Sequence, residues 1–362
     1  MKLEDIARES RATYKGDKSG VPIVGLEHLV PQEIKFTGYD VDTENTFTKA
    51  FKKGQILFGR RRAYLKKAAI ADFDGICSGD ITVIEAIPGK VEPLLLPFII
   101  QNEKFFDYAV SRSAGGLSPR VKWEHLKDYE LALPPIDEQR ILADKLWAAY
   151  RLKESYKKLL TATQEMVKSQ FIEMFEGDKY HQMELDSIAE NWLKGQAFKK
   201  DNICEDGTNI CIHYGELFTK YGPIIYDVSS TTNDDIMKAS KSGDILFPAS
   251  DVTPDGLARC SAIMSDGVLL GGDIIVLRPK QGNNSEYLSW AINMQKEQLL
   301  KRVTGSVVRH MSAKGLKTVQ IPIAPIEKQK QFINIVNQAD KSEFELRKSI
   351  DAIDQVIKSL IN

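Results

Sequence analysis

Cysteine is scarce in this chain: four residues in 362 (Cys77, Cys204, Cys211, Cys260), with no pair in C-x-x-C spacing. That excludes a disulfide framework and a zinc ribbon, and points to buried or free thiols. Cys204, Cys211 and His213 form the nearest approach to a ligand set, but they lack a second close pair, so no metal site is assigned. Histidine is equally sparse (His28, His125, His181, His213, His310), and none lies in a nucleophile or zinc motif. No charge of either sign prevails: 49 lysines and arginines face 50 acids, a net charge of -1. A nucleic-acid binder of this balance must cluster its positive charge locally or share the work with a partner. Long apolar runs are missing too. The longest, Leu94 to Ile100, is broken by Pro97 and too short to span a bilayer. The opening MKLEDIARES carries no apolar targeting segment, so a cytoplasmic protein is expected.

The motifs of the common enzymes are absent as well. No G-x-G-x-x-G follows a strand, and Lys18-Ser19 follows Asp17 rather than glycine, which removes the dinucleotide fingerprint and the P-loop. An amine methyltransferase should carry Asp/Asn/Ser-Pro-Pro-aromatic. Leu133-Pro134-Pro135-Ile136 lacks both the polar first residue and the aromatic last one. The expectation is that this chain has no catalytic residues of its own.

What is present is a repeat. LPPIDEQRILADKL begins at Leu133, and IAPIEKQKQFINIV begins at Ile323. The second copy continues as a heptad stripe: Phe332, Val336, Ala339, Glu343, Leu346, Ile350, Ile353, Ile357, Leu360. Apolar residues alternating four and three apart form the seam of a coiled coil. The first copy has Leu142, Leu146, Ala149, Lys153, Tyr156, Leu160, Thr163, Val167 and Gln170 at matching positions. Acids in the first turn (Asp137, Glu138; Glu327) suit the helix macrodipole, and Gly177 suits a stop. Upstream landmarks recur in the same order. LEDIA echoes LDSIA, GQILF echoes GDILF, and CSGDITVIEA echoes LGGDIIVLRP. Helices are predicted over Pro97 to Arg112 and Glu286 to Val303, each followed by a Gly-Ser segment. This is a tandem duplication of about 180 residues.

The fold class read from these signals is α+β: two mixed, strand-rich domains separated by two long antiparallel helices, with a pseudo-twofold internal repeat. The expected boundaries are 1–135 and 177–325 for the domains, and 136–176 and 326–362 for the helices. Each helix of about 35 residues is roughly 50 Å long. Leu152, Leu159 and Met166 lie beside the seam, which leaves apolar surface for a partner subunit.

One stretch concentrates positive charge. Arg60, Arg61, Arg62, Lys66 and Lys67, with Tyr64, occupy a turn between two strands. Such a turn can set guanidinium groups against guanine edges in the major groove and lysines on phosphates. A solvated surface turn is the competing reading. The corresponding turn of the second domain offers Ser250, Asp251 and Thr253 instead. The Gly-Ser segments add Ser113, Arg120 and Lys122 in the first copy, and Arg302, Ser306, Arg309, His310 and Lys314 in the second. Trp123 and Trp290 read as packing residues rather than stacking platforms.

Two variable domains, each with a G-D/Q-I-L-F strand, a Gly-Ser loop and a Pro-Ile-x-x-Gln helix start, resemble the specificity subunit of type I restriction-modification enzymes over essentially the whole chain. The resemblance implies two target-recognition domains that read the halves of a bipartite, asymmetric double-stranded DNA target. It implies helices that set the spacing and dock two methyltransferase subunits. It also implies that S-adenosylmethionine, and ATP with Mg, belong to partners, the latter to two translocase-nuclease subunits. IAPIEKQ departs from the usual pattern at Ala324 and Lys328. Two other classes remain open: a coiled-coil scaffold with two protein-binding domains, and a self-contained DNA-modification enzyme.

Overall fold

A computed structural model describes residues 1–36, 38–177 and 180–361. The chain forms two compact units, residues 1–159 with 346–362, and residues 160–345. Each unit therefore contains a strand-rich body and part of each long helix.

In the first unit the sheet order is Ala7–Glu9, Ile81–Ala86, Ile56–Gly59, Ala68–Ile70, all antiparallel. Ile56, Leu57 and Phe58 are buried, and they pair with Ile84, Val83 and Thr82. A small sheet of Ile23–Val24, Gly75–Cys77 and Lys49–Phe51 lies beside it in sequence and closes a second core of Val24, Phe51, Cys77 and Val83. The second unit repeats this plan. Its main sheet runs Ile224–Ile225, Ser261–Ile263, Asp244–Pro248, Ile274–Pro279, Ala189–Lys194. The register identifies equivalent residues: Ile56 opposite Ile84 matches Ile245 opposite Leu277. The repeat in the sequence is thus a repeat of strand pairing.

Each body has a helical layer that the sequence predicts as one helix. Both break in two: Leu96–Gln101 and Glu103–Ser111, then Ser285–Met294 and Lys296–Leu300. The first break has a local cause. Asn102 is extended, and its side chain accepts a hydrogen bond from Lys104 N, capping a new helix.

The long helices span Ile136–Phe175 and Ile326–Ile361. The glutamine shared by their opening motifs has a structural role. Gln139 Nε2 donates to Pro134 O (2.8 Å), and its Oε1 accepts from Glu92 N (3.0 Å). Gln329 does the same with Ala324 O (2.8 Å) and Asn284 N (3.0 Å). Both side chains are buried, at 4% and 1% exposure. Each fastens a helix start to the body before it, satisfying backbone groups that would otherwise be buried unpaired.

Within each unit the helix segments run antiparallel. In the first, Lys153 Nζ meets Asp354 Oδ1 at 2.6 Å, while Leu142, Leu146 and Tyr150 share a core with Ile357, Leu360 and Ile361. In the second, Gln164 Nε2 donates to Glu343 Oε2 (3.1 Å), and Phe171 and Phe175 stack edge-on against Phe332. All the seam positions read from the sequence are buried or half-buried. The two charged seam residues, Lys153 and Glu343, thus have their bonding groups answered from the other helix.

Candidate nucleic-acid interface

Each unit folds its basic or polar turn onto its Gly-Ser segment, by the same hydrogen bonds. In the first unit, Arg60 N donates to Asp80 O, and Val121 N donates to Arg60 O. The Gly-Ser segment is a hairpin closed by reciprocal bonds between Ala114 and Arg120, both 2.9 Å. Arg61 then pairs with Arg120 as an antiparallel bridge. In the second unit, Ala249 N donates to Asp273 O, and Met311 N donates to Ala249 O. The hairpin closes between Thr304 and His310, and Ser250–Asp251 pairs with Arg309–His310. So Arg61 corresponds to Ser250, Arg120 to His310, and Asp80 to Asp273.

Glycine is required at the hairpin bends. Gly115 and Gly305 have φ of 118° and 93°, and a Cβ on Gly305 would lie 2.4 Å from Val308 O. At the two apices Leu117 and Val307 stand 96% and 80% exposed, at the same position of the repeat. The basic turn carries strain of its own. Arg62 and Lys66 both adopt left-handed backbone, flanking the short helical turn Ala63–Leu65. Arg62 N is held by Pro119 O (2.8 Å), and its Nη2 reaches Leu117 O (3.4 Å), so turn and hairpin form one edge.

Asp80 sits at the centre of that edge. Its carboxylate accepts two hydrogen bonds from Arg120, from Nε at 2.7 Å and Nη2 at 3.2 Å, and lies 3.5 Å from Arg61 Nη1. The Arg120 bonds, with the charges of Arg120, Arg61 and Arg60, hold this carboxyl below the usual carboxylate range against a smaller opposing effect of burial. Arg61 also donates to Ser118 Oγ (3.2 Å). In the second unit Asp273 accepts from Ser250 Oγ (2.9 Å).

The remaining candidates divide by what they touch. Tyr64, Lys122, Ser306, His310 and Lys314 are exposed. Thr253 Oγ1 donates to Asp251 Oδ2 (2.5 Å) and caps the turn Pro254–Leu257. Arg309 lies half-buried, donating to Gly305 O. Three others are turned inward. Arg302 donates to the carbonyls of Gln298 and Thr318, Lys67 to Leu26 O, and Ser113 to Ala109 O. Lys66 faces Glu103 (3.7 Å). These inward groups are occupied in stabilising the local fold. Trp123 and Trp290 pack against the two main cores. Sequence reading passed over Asp80 and Asp273. Their signal was available, a Gly-Asp pair before the same strand of both copies, but an acid in a basic cluster did not register as part of it.

Three buried thiols are chemically quiet. Burial pushes Cys77 and Cys260 up to about 12 and Cys211 to about 11. Among the described residues, the grouping of acids and histidine close enough for an ion is Glu27, His28 and Asp40. His28 Nδ1 already accepts from Gly25 N (3.0 Å), and Nε2 faces Asp40 at 3.5 Å, so the imidazole serves as a bridge. No described helix is long and apolar enough to cross a membrane. On the long helices Leu152, Leu159 and Met166 are 46%, 51% and 43% exposed.

A duplicated body, each copy ending in a two-part edge and a stapled long helix, defines a class of tandemly duplicated, mixed α+β protein. The chain belongs to the family of the type I restriction modification DNA specificity domain, whose model matches residues 1–162 and 177–355. It is 23% identical to a putative type I restriction enzyme MjaX specificity subunit of Methanocaldococcus jannaschii, over 99% of this chain and 90% of that one. It is 28% identical to the EcoDI specificity subunit of Escherichia coli, over 39% of this chain and 33% of the other. In fold it is similar to a chain in a structure of type I restriction-modification complex assembly (TM-score 0.61, 17% identity, 100% and 95% covered). It is similar also to the specificity subunit from M. genitalium (TM-score 0.60, 14% identity, 100% and 94% covered).

Proposed function

We propose that this chain is the non-catalytic DNA-recognition subunit of a type I restriction-modification complex. Each unit reads one half of a bipartite, asymmetric target through the major groove. The observation that carries this reading is the pair of equivalent edges. The backbone scaffold is the same in both, while the side chains presented differ at nearly every position: Arg61, Arg62 and Arg120 against Ser250, Asp251 and His310. A constant frame with variable hydrogen-bonding groups is what reading two different base sequences requires. The long helices space the half-sites. Leu152, Leu159 and Met166 contribute to docking two methyltransferase subunits, which hold S-adenosylmethionine. Two translocase-nuclease subunits with ATP and Mg complete the restricting form. The chain itself holds no cofactor.

The test is to express the chain with its methyltransferase subunit and sequence methylated DNA at single-molecule resolution. The expected result is one motif with two unlike halves and a fixed non-specific spacer. A perfect palindrome, or methylation independent of this chain, would overturn it.

A further inference from the structure

A carboxylate on a surface meant for DNA is an electrostatic liability, because it repels phosphates that the neighbouring arginines attract. Asp80 nevertheless stands among Arg60, Arg61 and Arg120. An aspartate that only shaped its own turn would accept from its own backbone, as Asp17 does from Ser19 N (3.1 Å). Asp80 does otherwise. Its own turn is closed without the carboxylate, by Ile81 N donating to Ser78 O (3.0 Å) and Asp80 N to Ser78 Oγ (3.2 Å). The carboxylate's bonds run across the edge to the Arg120 fork. The fork uses Nε and Nη2, while Nη1 reaches only Ser118 O at 3.4 Å. Arg120's side chain keeps 42% of its surface exposed, against 22% for Asp80. A long side chain is thereby immobilised before binding, with a face of its guanidinium still presented outward. Ordering it in advance reduces the entropy lost on contact.

Resting on the reading of the edge as a DNA interface, we propose that Asp80 is a positioning residue that fixes Arg120 as the specificity-determining side chain of the first unit. The second unit supplies the internal comparison. Asp273 occupies the same place, but its partner is Ser250 Oγ and no arginine corresponds to Arg120. The aspartate is thus part of the common frame, and the residue it orients is what differs between the two edges. A preset guanidinium matches the paired acceptors of guanine, so the class of ligand read by the first edge is a guanine edge.

The experiment uses the chain assembled with its methyltransferase subunits. Wild type, Asp80→Asn, Arg120→Ala and the double variant are compared by methylated-motif sequencing and by competition with DNA changed one base pair at a time. Asp80→Asn should lower discrimination at one guanine position of the first half-site by about tenfold, the lower part of what a bidentate arginine supplies. The second half-site should be unchanged, and the double variant should be no worse than Arg120→Ala alone, because both act through one group. Uniformly weaker binding with an intact motif would make Asp80 merely structural and overturn the proposal, as would additive losses. Asp273→Asn should leave the first half-site untouched; a change there would also overturn it. A wild-type complex without a bipartite motif would instead overturn the DNA-reading function, and this proposal with it.

Discussion

The two units solve one structural problem in two ways, and the difference predicts a measurable asymmetry. At the start of the central strand the first unit has Gln55 and the second has Asp244, at the same position of the repeat. Each side chain accepts a backbone N–H three residues back, Lys52 N and Lys241 N, both at 2.8 Å. Across the sheet they part. Gln55 Nε2 donates to Glu85 (2.6 Å), which also holds Arg8 (2.6 Å). Asp244 is 1% exposed and receives a fork from Arg278, Nε at 2.8 Å and Nη2 at 2.7 Å, with Arg278 18% exposed. Substituting alanine orphans the same backbone group in both units, so that cost cancels in the comparison. Gln55→Ala then removes one amide bond to a carboxylate that is 27% exposed and keeps Arg8, a loss of about 1.5 kcal/mol. Asp244→Ala leaves a guanidinium largely buried without its partner, a loss of about 3–5 kcal/mol. Amide hydrogen exchange resolves the units separately. At about 1.4 kcal/mol per factor of ten, protection of Asp244–Pro248 should fall by about 100-fold or more, and that of Ile56–Gly59 by about 10-fold. Equal losses would show that the ion pair is no more than a polar contact.

Three further outcomes follow from particular residues. The Asp80 carboxyl is held low by Arg120, so its contribution to the first edge is complete above the ordinary aspartate pKa and is lost only as pH falls through its lower folded value; a carboxyl NMR titration should find it ionised where exposed aspartates have begun to protonate. Leu159→Asp with Met166→Asp should abolish co-purification of the methyltransferase subunit while leaving circular dichroism and melting temperature within a few degrees of wild type, because both positions face solvent in the free chain. Four residues inserted near Ser155 add about 6 Å of helix, and the methylated motif should keep its two halves with a spacer longer by at most roughly two base pairs, at about 3.4 Å per pair; an unchanged spacer with full activity would show that the helices are not the ruler.

The duplication, the seam and the helix starts were legible because each rests on periodicity or on a motif seen twice. Phe332, Val336 and Ala339 announce themselves by spacing, and the structure buries all three. The break at Asn102 was not legible, because a capping side chain overrides a pattern that stays apolar on both sides. At the interface, composition located the basic turn and the Gly-Ser segments, and backbone pairing joined them. Composition could not tell an arginine that faces outward from one consumed internally. Arg302 and Arg120 look alike in sequence; one is bound to the carbonyls of Gln298 and Thr318, the other to a carboxylate at the edge. That distinction is set in part by Thr318, 16 positions from Arg302, and Asp80, 40 positions from Arg120, beyond any local pattern.

The last turn of the second long helix has a consequence for how the protein is made. Ile357, Leu360 and Ile361 pack into the core that contains Leu3 and Ile6, and Lys358 pairs with Glu103 at 3.3 Å. The unit whose strand-rich body is made first is therefore finished after the other, since its core waits for residues 346–361. Contacts of such sequence separation fold slowly, and until they form the apolar ends of Leu142 and Leu146 stay open to chaperones and proteases. A chain cut within the second long helix would carry its defect in the unit made first.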